Sequence, residues 1–181
     1  KDAEEVVRRL TKLVEDLKRK IEEVIREDKE LVDRVRDTSR KSDETLEKLV
    51  REVKKLLREG ATSEILEKVI RELEEILKKN TEDSKDAIRK SRELNERLAR
   101  DIERVIRELR EIVKRLAERG VEEEKLKRLE DRVREAEKEL RELLERSEDT
   151  TRRAERELEE LNRRLEDKIR RVVEELKEES R

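Results

Sequence analysis

Eight amino-acid types are missing from this 181-residue chain: Cys, His, Met, Pro, Gln, Phe, Trp and Tyr. Each absence removes some chemistry. Without cysteine there is no disulfide, thiolate nucleophile or zinc–thiolate centre, and no indication of redox compartment. Without histidine there is no imidazole base, no metal–imidazole site and no side chain that normally switches charge near neutral pH. Without aromatics there is no stacking platform for nucleic-acid bases and no interface anchor of the Trp or Tyr kind. Glycine occurs only at Gly60 and Gly120, and two isolated glycines cannot form a phosphate-cradling loop. No nucleophile can find an imidazole partner, which removes triad-type hydrolases. No apolar run approaches the ~20 residues of a membrane span and no signal-peptide pattern opens the chain. A soluble chain is expected, in the cytoplasm of an expression host, with no native localisation implied.

What remains is mostly charge. Charged residues make up 59% and hydrophobic residues 31%, and 52 Lys and Arg against 54 Asp and Glu leave a net charge of −2. The two signs are interleaved along the chain, so no net field steers nucleic acid or anionic lipid, and neither is expected as a partner. Arg152-Arg153 and Arg163-Arg164 stand beside glutamates, and the run Glu122-Glu123-Glu124 reads as a solvated face rather than as the paired carboxylates of a glycosidase. No catalytic residue, metal ligand or cofactor site is expected.

High charge with few hydrophobic residues is also the composition of disorder, but periodicity excludes it here. Gly60 and Gly120 cut the chain into thirds, and between them run good helix formers without a proline. Glutamate precedes arginine by four residues at Glu4–Arg8, Glu22–Arg26, Glu103–Arg107 and Glu159–Arg163, the favourable order for helix surface pairs. The core-class positions 3, 6, 7, 10, 13, 14 and 17 recur at 21, 24, 25, 28, 31, 32 and 35, then at 39, 42, 46, 49, 50 and 53. The other two thirds repeat with the same step of eighteen. Eighteen residues in five turns is 3.6 per turn, the twist of an uncoiled helix. A seven-residue repeat would impose a left-handed supercoil and an eleven-residue repeat a right-handed one.

The expected fold is all-α: an antiparallel, up-down-up three-helix bundle of nearly straight helices, each of about 58 residues and ~87 Å long. Helix 1 is placed at about 2–59, helix 2 at about 62–119 and helix 3 at about 122–180, forming one domain over 1–181. Gly60 and Gly120 supply the left-handed residue that ends a helix. Thr62 is positioned to cap helix 2, and Glu122 suits the positive end of helix 3. Val121 with Leu126, and more weakly Ala61 with Leu66, stand at hydrophobic-staple spacing. Forty-nine Val, Ile and Leu residues with seven Ala fill an apolar stripe wide enough to touch two partner helices.

Ten stripe positions are polar. Folding at the two glycine turns brings them to two levels. Asp28 falls opposite residue 93, between Ser91 and Asn95, facing Ser147 and Thr151. Ser39 and Ser42 fall opposite residues 82 and 79, beside Asn80 and Ser84, with Asn162 on the third helix. Thr38, Thr45, Thr81 and Thr150 flank these levels. A lone buried carboxylate could serve as a general base or a cation site, but one carboxylate lacks the ligand count that hard cations prefer. Nor do the polar segments read as loops or a hinge, because the repeat passes through them without Gly or Pro. They read as buried hydrogen-bond networks: a misregistered packing would strand Asn and Asp without partners, so the networks select one helix pairing.

The twelve-letter alphabet, the 60-residue module, the glycine-punctuated links and segments such as Thr62-Ser63-Glu64-Ile65-Leu66-Glu67-Lys68 followed by Val69-Ile70-Arg71 resemble computationally designed helical bundles. The likeness covers the whole chain and lies in style rather than in a homologous motif. Natural three-helix rods such as spectrin repeats are similar in outline, but their aromatic core residues are missing. The resemblance implies a structural scaffold without catalysis. No partner is required and a monomer is expected; the alternative is an association module that binds a copy of itself or a designed partner helix. Apolar doublets on helices 1 and 2 (Val6-Val7, Val24-Ile25, Ile76-Leu77, Ile112-Val113) suit that alternative. A natural coiled-coil adaptor stands further off.

Overall fold

A computed structural model describes residues 2–60 and 62–179, without the side chains of residues 2 and 3. It contains three helices, α1 (Asp2–Arg58), α2 (Ser63–Glu118) and α3 (Glu123–Glu179), and no strand among the described residues. At the two turns the helix ends lie within a residue of the expected ones. The core position at Ala3 and the staple partner Ala61 lie outside what is described.

The turns follow from backbone chemistry. Gly60 has φ 93° and Gly120 φ 81°, a left-handed conformation that costs an L-residue roughly 1–2 kcal/mol. The Gly120 N–H donates to the Ala117 carbonyl and the Val121 N–H to the Leu116 carbonyl, each at 3.2 Å. This double closure satisfies carbonyls that the end of α2 would otherwise leave open. Gly60 repeats the first of these bonds, to Leu57 at 3.2 Å. Thr62 meets α2 differently from expectation. Its side chain is exposed and its backbone carbonyl, not its hydroxyl, accepts from Ile65 at 3.2 Å.

The chain divides into two compact units, and each helix contributes one stretch to both. The first unit joins Lys1–Asp28 to Lys90–Arg152. Its core is aliphatic, centred on Leu17, Ile21, Ile102, Leu109 and Leu140. Cross-helix pairs fix the directions of its helices. Lys18 pairs with Glu139, and Asp28 with Thr151, so α1 and α3 run parallel. Arg110 meets Glu137 and Arg141 meets Glu103, so α2 runs against α3. The second unit joins Lys29–Arg89 to Arg153–Arg181. It holds one aliphatic cluster around Leu46, Leu73, Leu165 and Leu176 and a smaller one of Val32, Ile88, Ala154 and Leu158. Here Arg36 pairs with Glu157, Lys54 with Glu175, and Lys168 with both Asp43 and Glu47. The order of the helices and these pairings make an up-down-up bundle.

Within a helix, the carboxylate–arginine pairs sort by side-chain length. Aspartate reaches an arginine three residues on, as at Asp16–Arg19, Asp37–Arg40 and Asp101–Arg104. Glutamate, one methylene longer, reaches four residues on, as at Glu67–Arg71, Glu160–Arg164 and Glu166–Arg170. The four pairs expected from spacing, Glu4–Arg8, Glu22–Arg26, Glu103–Arg107 and Glu159–Arg163, do not close; Glu103 turns across to Arg141 on α3 instead. Exposed pairs contribute little each, so a cross-helix partner readily wins.

Candidate functional site: a buried polar chain

Asp28, Ser91, Asn95, Ser147 and Thr151 all belong to the first unit, and all five are buried. They come from three helices: Asp28 from α1, Ser91 and Asn95 from α2, Ser147 and Thr151 from α3. Each occupies a stripe position that elsewhere carries an aliphatic residue, so the packing that buries leucines carries these polar groups inward too. Asp28 is 3% exposed, and each of its carboxylate oxygens is held by a hydroxyl from another helix.

Proton bookkeeping gives this group a direction. The Ser91 hydroxyl donates to Asp28 Oδ1 at 2.7 Å and the Thr151 hydroxyl to Asp28 Oδ2 at 2.6 Å. Thr151 has a single proton. The Ser147 carbonyl also lies within reach, at 3.1 Å, but the carboxylate is the shorter and charge-assisted acceptor. With its proton committed, Thr151 can only accept from the amide of Asn95, and Asn95 Nδ2 donates to it at 2.8 Å. That fixes the amide orientation, so Asn95 Oδ1 faces Ser147, whose hydroxyl donates to it at 2.5 Å. Donation runs from Ser147 to Asn95 to Thr151 to Asp28, with Ser91 closing the other carboxylate oxygen. Asp28 is the acceptor-only end that orients every other bond.

The second predicted group is arranged differently. Ser39, Ser42, Asn80, Ser84 and Asn162 lie in the second unit, where only Ser84 is buried and the other four are half-buried. No hydrogen bond joins these five side chains in the structure. This level is less enclosed than that of Asp28: Ser84 is buried, and Ser39, Ser42, Asn80 and Asn162 keep partial access to solvent. Serine hydroxyls are short, and a half-buried amide such as Asn80 or Asn162 is satisfied by solvent without a protein partner. The flanking threonines join neither level. Thr45, Thr81 and Thr150 donate back to the carbonyls of Lys41, Leu77 and Arg146 on their own helices, and Thr38 is exposed.

Chemically, the chain of five is self-contained. Both oxygens of Asp28 are occupied and shielded, and no buried side-chain polar atom among the described residues lacks a partner. No cluster of three or more acidic side chains that could hold a metal ion occurs among the described residues. None of their helices is long and apolar enough to cross a membrane.

Apolar spacing does not reveal one further set of residues: the ion pairs between α1 and α3. Lys18–Glu139, Arg36–Glu157 and Lys54–Glu175 join residues 121 apart, and each pair lies eighteen residues beyond the one before. Their signal is present in the repeat, as a cation at 18, 36 and 54 and a glutamate at 139, 157 and 175. Lys18 shows the electrostatic consequence. Its hydrogen bond to Glu139 raises its pKa above the ordinary 10.5, against the smaller opposing effect of burial, and the Glu139 and Glu15 charges reinforce the rise. A raised folded-state pKa means that the protonated lysine favours the folded chain at neutral pH. That advantage is lost as pH climbs past 10.5 through the raised value. Lys18→Met should lower the denaturation midpoint at pH ~8 and shrink the midpoint's fall between pH ~8 and pH ~11, both read by urea titration.

No protein-family model matches the chain, and no curated protein is similar to it. Among solved structures the chain is similar to a computationally designed three helix bundle, at 16% sequence identity and a TM-score of 0.41, over 98% of this chain and 91% of the other.

Proposed function

We propose that residues 1–181 serve as one structural scaffold of designed origin, without natural catalytic activity, in which buried polar residues specify how three otherwise similar aliphatic helices pair. The observation that carries this reading is the directional chain ending on Asp28. Aliphatic seams tolerate sliding and exchange, because leucine on leucine is nearly as good one turn along. A carboxylate whose two oxygens need one hydroxyl from α2 and one from α3 has no such alternative. A slip by one turn would leave it buried and unpartnered, costing on the order of 1–3 kcal/mol per lost bond. The restricted alphabet and the eighteen-residue step support designed origin.

Light scattering tests the scaffold reading. A monomer of 22 kDa is the expected mass at micromolar and higher concentration; a stable dimer or trimer contradicts it. The second reading, an association module for a second copy or a partner helix, is favoured by one observation. The large hydrophobics left exposed, Leu13, Leu56, Ile65 and Ile76, all lie on α1 and α2. A larger mass that Leu13→Lys or Ile76→Lys returns to 22 kDa would establish that second reading.

A further inference from the structure

The core of the first unit is open on one side. Between α1 and α3, over a floor of α2, lies a pocket of about 370 Å³ whose walls include Val7, Leu10, Val14, Leu109, Val133 and Ala136. Ala136 lines the opening, and the same residue type one repeat on is enclosed by its neighbours. Ala136 is half-buried, whereas Ala154, eighteen residues further along the same helix face, is 2% exposed among Val32, Ile88 and Leu158.

The lining says what the pocket can take. Thr11 is the one uncharged polar residue in it, and its hydroxyl is already committed to the Val7 carbonyl at 2.8 Å. The other polar groups are charged: Lys18, paired with Glu139 and Glu15, and exposed Arg132 and Glu135. Two cations against three carboxylates leave this set one charge negative, which repels an anionic head group. The aliphatic walls offer no hydrogen bond to a polar one. A volume of a few hundred Å³ with apolar walls is the range in which small ligands are enclosed, and dry aliphatic cavities accept arenes. We infer that this pocket is a binding site for a small uncharged arene. The inference does not depend on the scaffold's origin or on its polar chain.

The chain's lack of aromatic residues makes the test direct, since a fluorescent arene can be read without protein emission. Titration with the neutral probe N-phenyl-1-naphthylamine should give blue-shifted emission that saturates at one probe per chain. Ala136→Leu, which fills the pocket, and Val7→Lys, which charges its wall at a half-buried position, should each weaken binding by about tenfold or more with helicity retained. Ile76→Lys, in the other unit, should leave the affinity unchanged. Three results would overturn the proposal: no saturable binding to the parent chain, undiminished affinity in the folded Val7→Lys variant, or tighter binding of anionic 8-anilino-1-naphthalenesulfonate than of the neutral probe.

Discussion

Thr151→Val is expected to destabilise the protein more than Asp28→Leu, although Asp28 carries the charge. The reason lies in which groups each change leaves behind. Removing the Thr151 hydroxyl deprives Asp28 Oδ2 of its donor and Asn95 Nδ2 of its acceptor, two losses at buried positions. At ~1–3 kcal/mol for each stranded group, the loss should be about 3 kcal/mol or more. Removing Asp28 leaves only hydroxyl donors behind, and a helical hydroxyl has a fallback. Thr151 can turn to the Ser147 carbonyl, 3.1 Å away. Ser91 can donate to a carbonyl four residues earlier, as Thr11, Thr45, Thr81 and Thr150 already do. A leucine at position 28 also adds apolar burial, so Asp28→Leu should stay within about 1 kcal/mol of the parent or exceed it in stability. Ser91→Ala, which strands only Oδ1, should fall between the two. Urea denaturation followed by helical circular dichroism gives the ranking. If Asp28→Leu proves the worst of the three, the direction assigned to the chain is wrong.

The other large effect belongs to the aliphatic core. Leu140 is 0% exposed in the cluster that also holds Ile21, Ile102 and Leu109. Leu140→Ala should cost about 2–5 kcal/mol, the sum of lost transfer energy and a cavity that its neighbours cannot collapse to fill. Leu13→Ala makes the same chemical change on the same apolar stripe class, but Leu13 is 43% exposed. Its loss should be within about 0.5 kcal/mol, as for surface positions generally. The contrast between the two, read from the same urea transitions, separates core from surface without reference to helix propensity, because both changes are Leu→Ala within a helix. Equal losses would mean that the stripe is not buried as described.

Much of this architecture is legible in the order of residues. The step of eighteen locates the buried face, and Leu10, Val14, Leu17, Ile21 and Val24 are all in the core. The glycines locate both turns. Counting back from those turns also places Asp28, Ser91, Asn95, Ser147 and Thr151 at one level, because helices of constant rise keep their register even over the roughly seven to nine turns that separate these residues from the glycines. The partners within that level are not legible. Which hydroxyl meets which oxygen depends on differences of a few ångström in azimuth and rotamer, and counting residues does not resolve them. The level of Ser39, Ser42, Asn80, Ser84 and Asn162 shows the same limit in another form. Membership of the stripe guarantees orientation towards the core but not depth, and four of the five remain half-buried. The eighteen-residue ladder of ion pairs between α1 and α3 is legible in principle. It requires the same period to be read on the charged flank as well as on the apolar face.

The most direct test of pairing specificity replaces all five residues at once: Asp28→Leu, Ser91→Ala, Asn95→Leu, Ser147→Ala and Thr151→Val. The amide NMR spectrum of this variant is then compared with that of the parent. If the polar chain selects the helix pairing, the variant should remain helical and at least as resistant to urea, yet show more than one set of resonances as its aliphatic seams exchange registers. A single sharp set with the parent's interhelical contacts would contradict that role and leave the polar chain as a tolerated feature of the core.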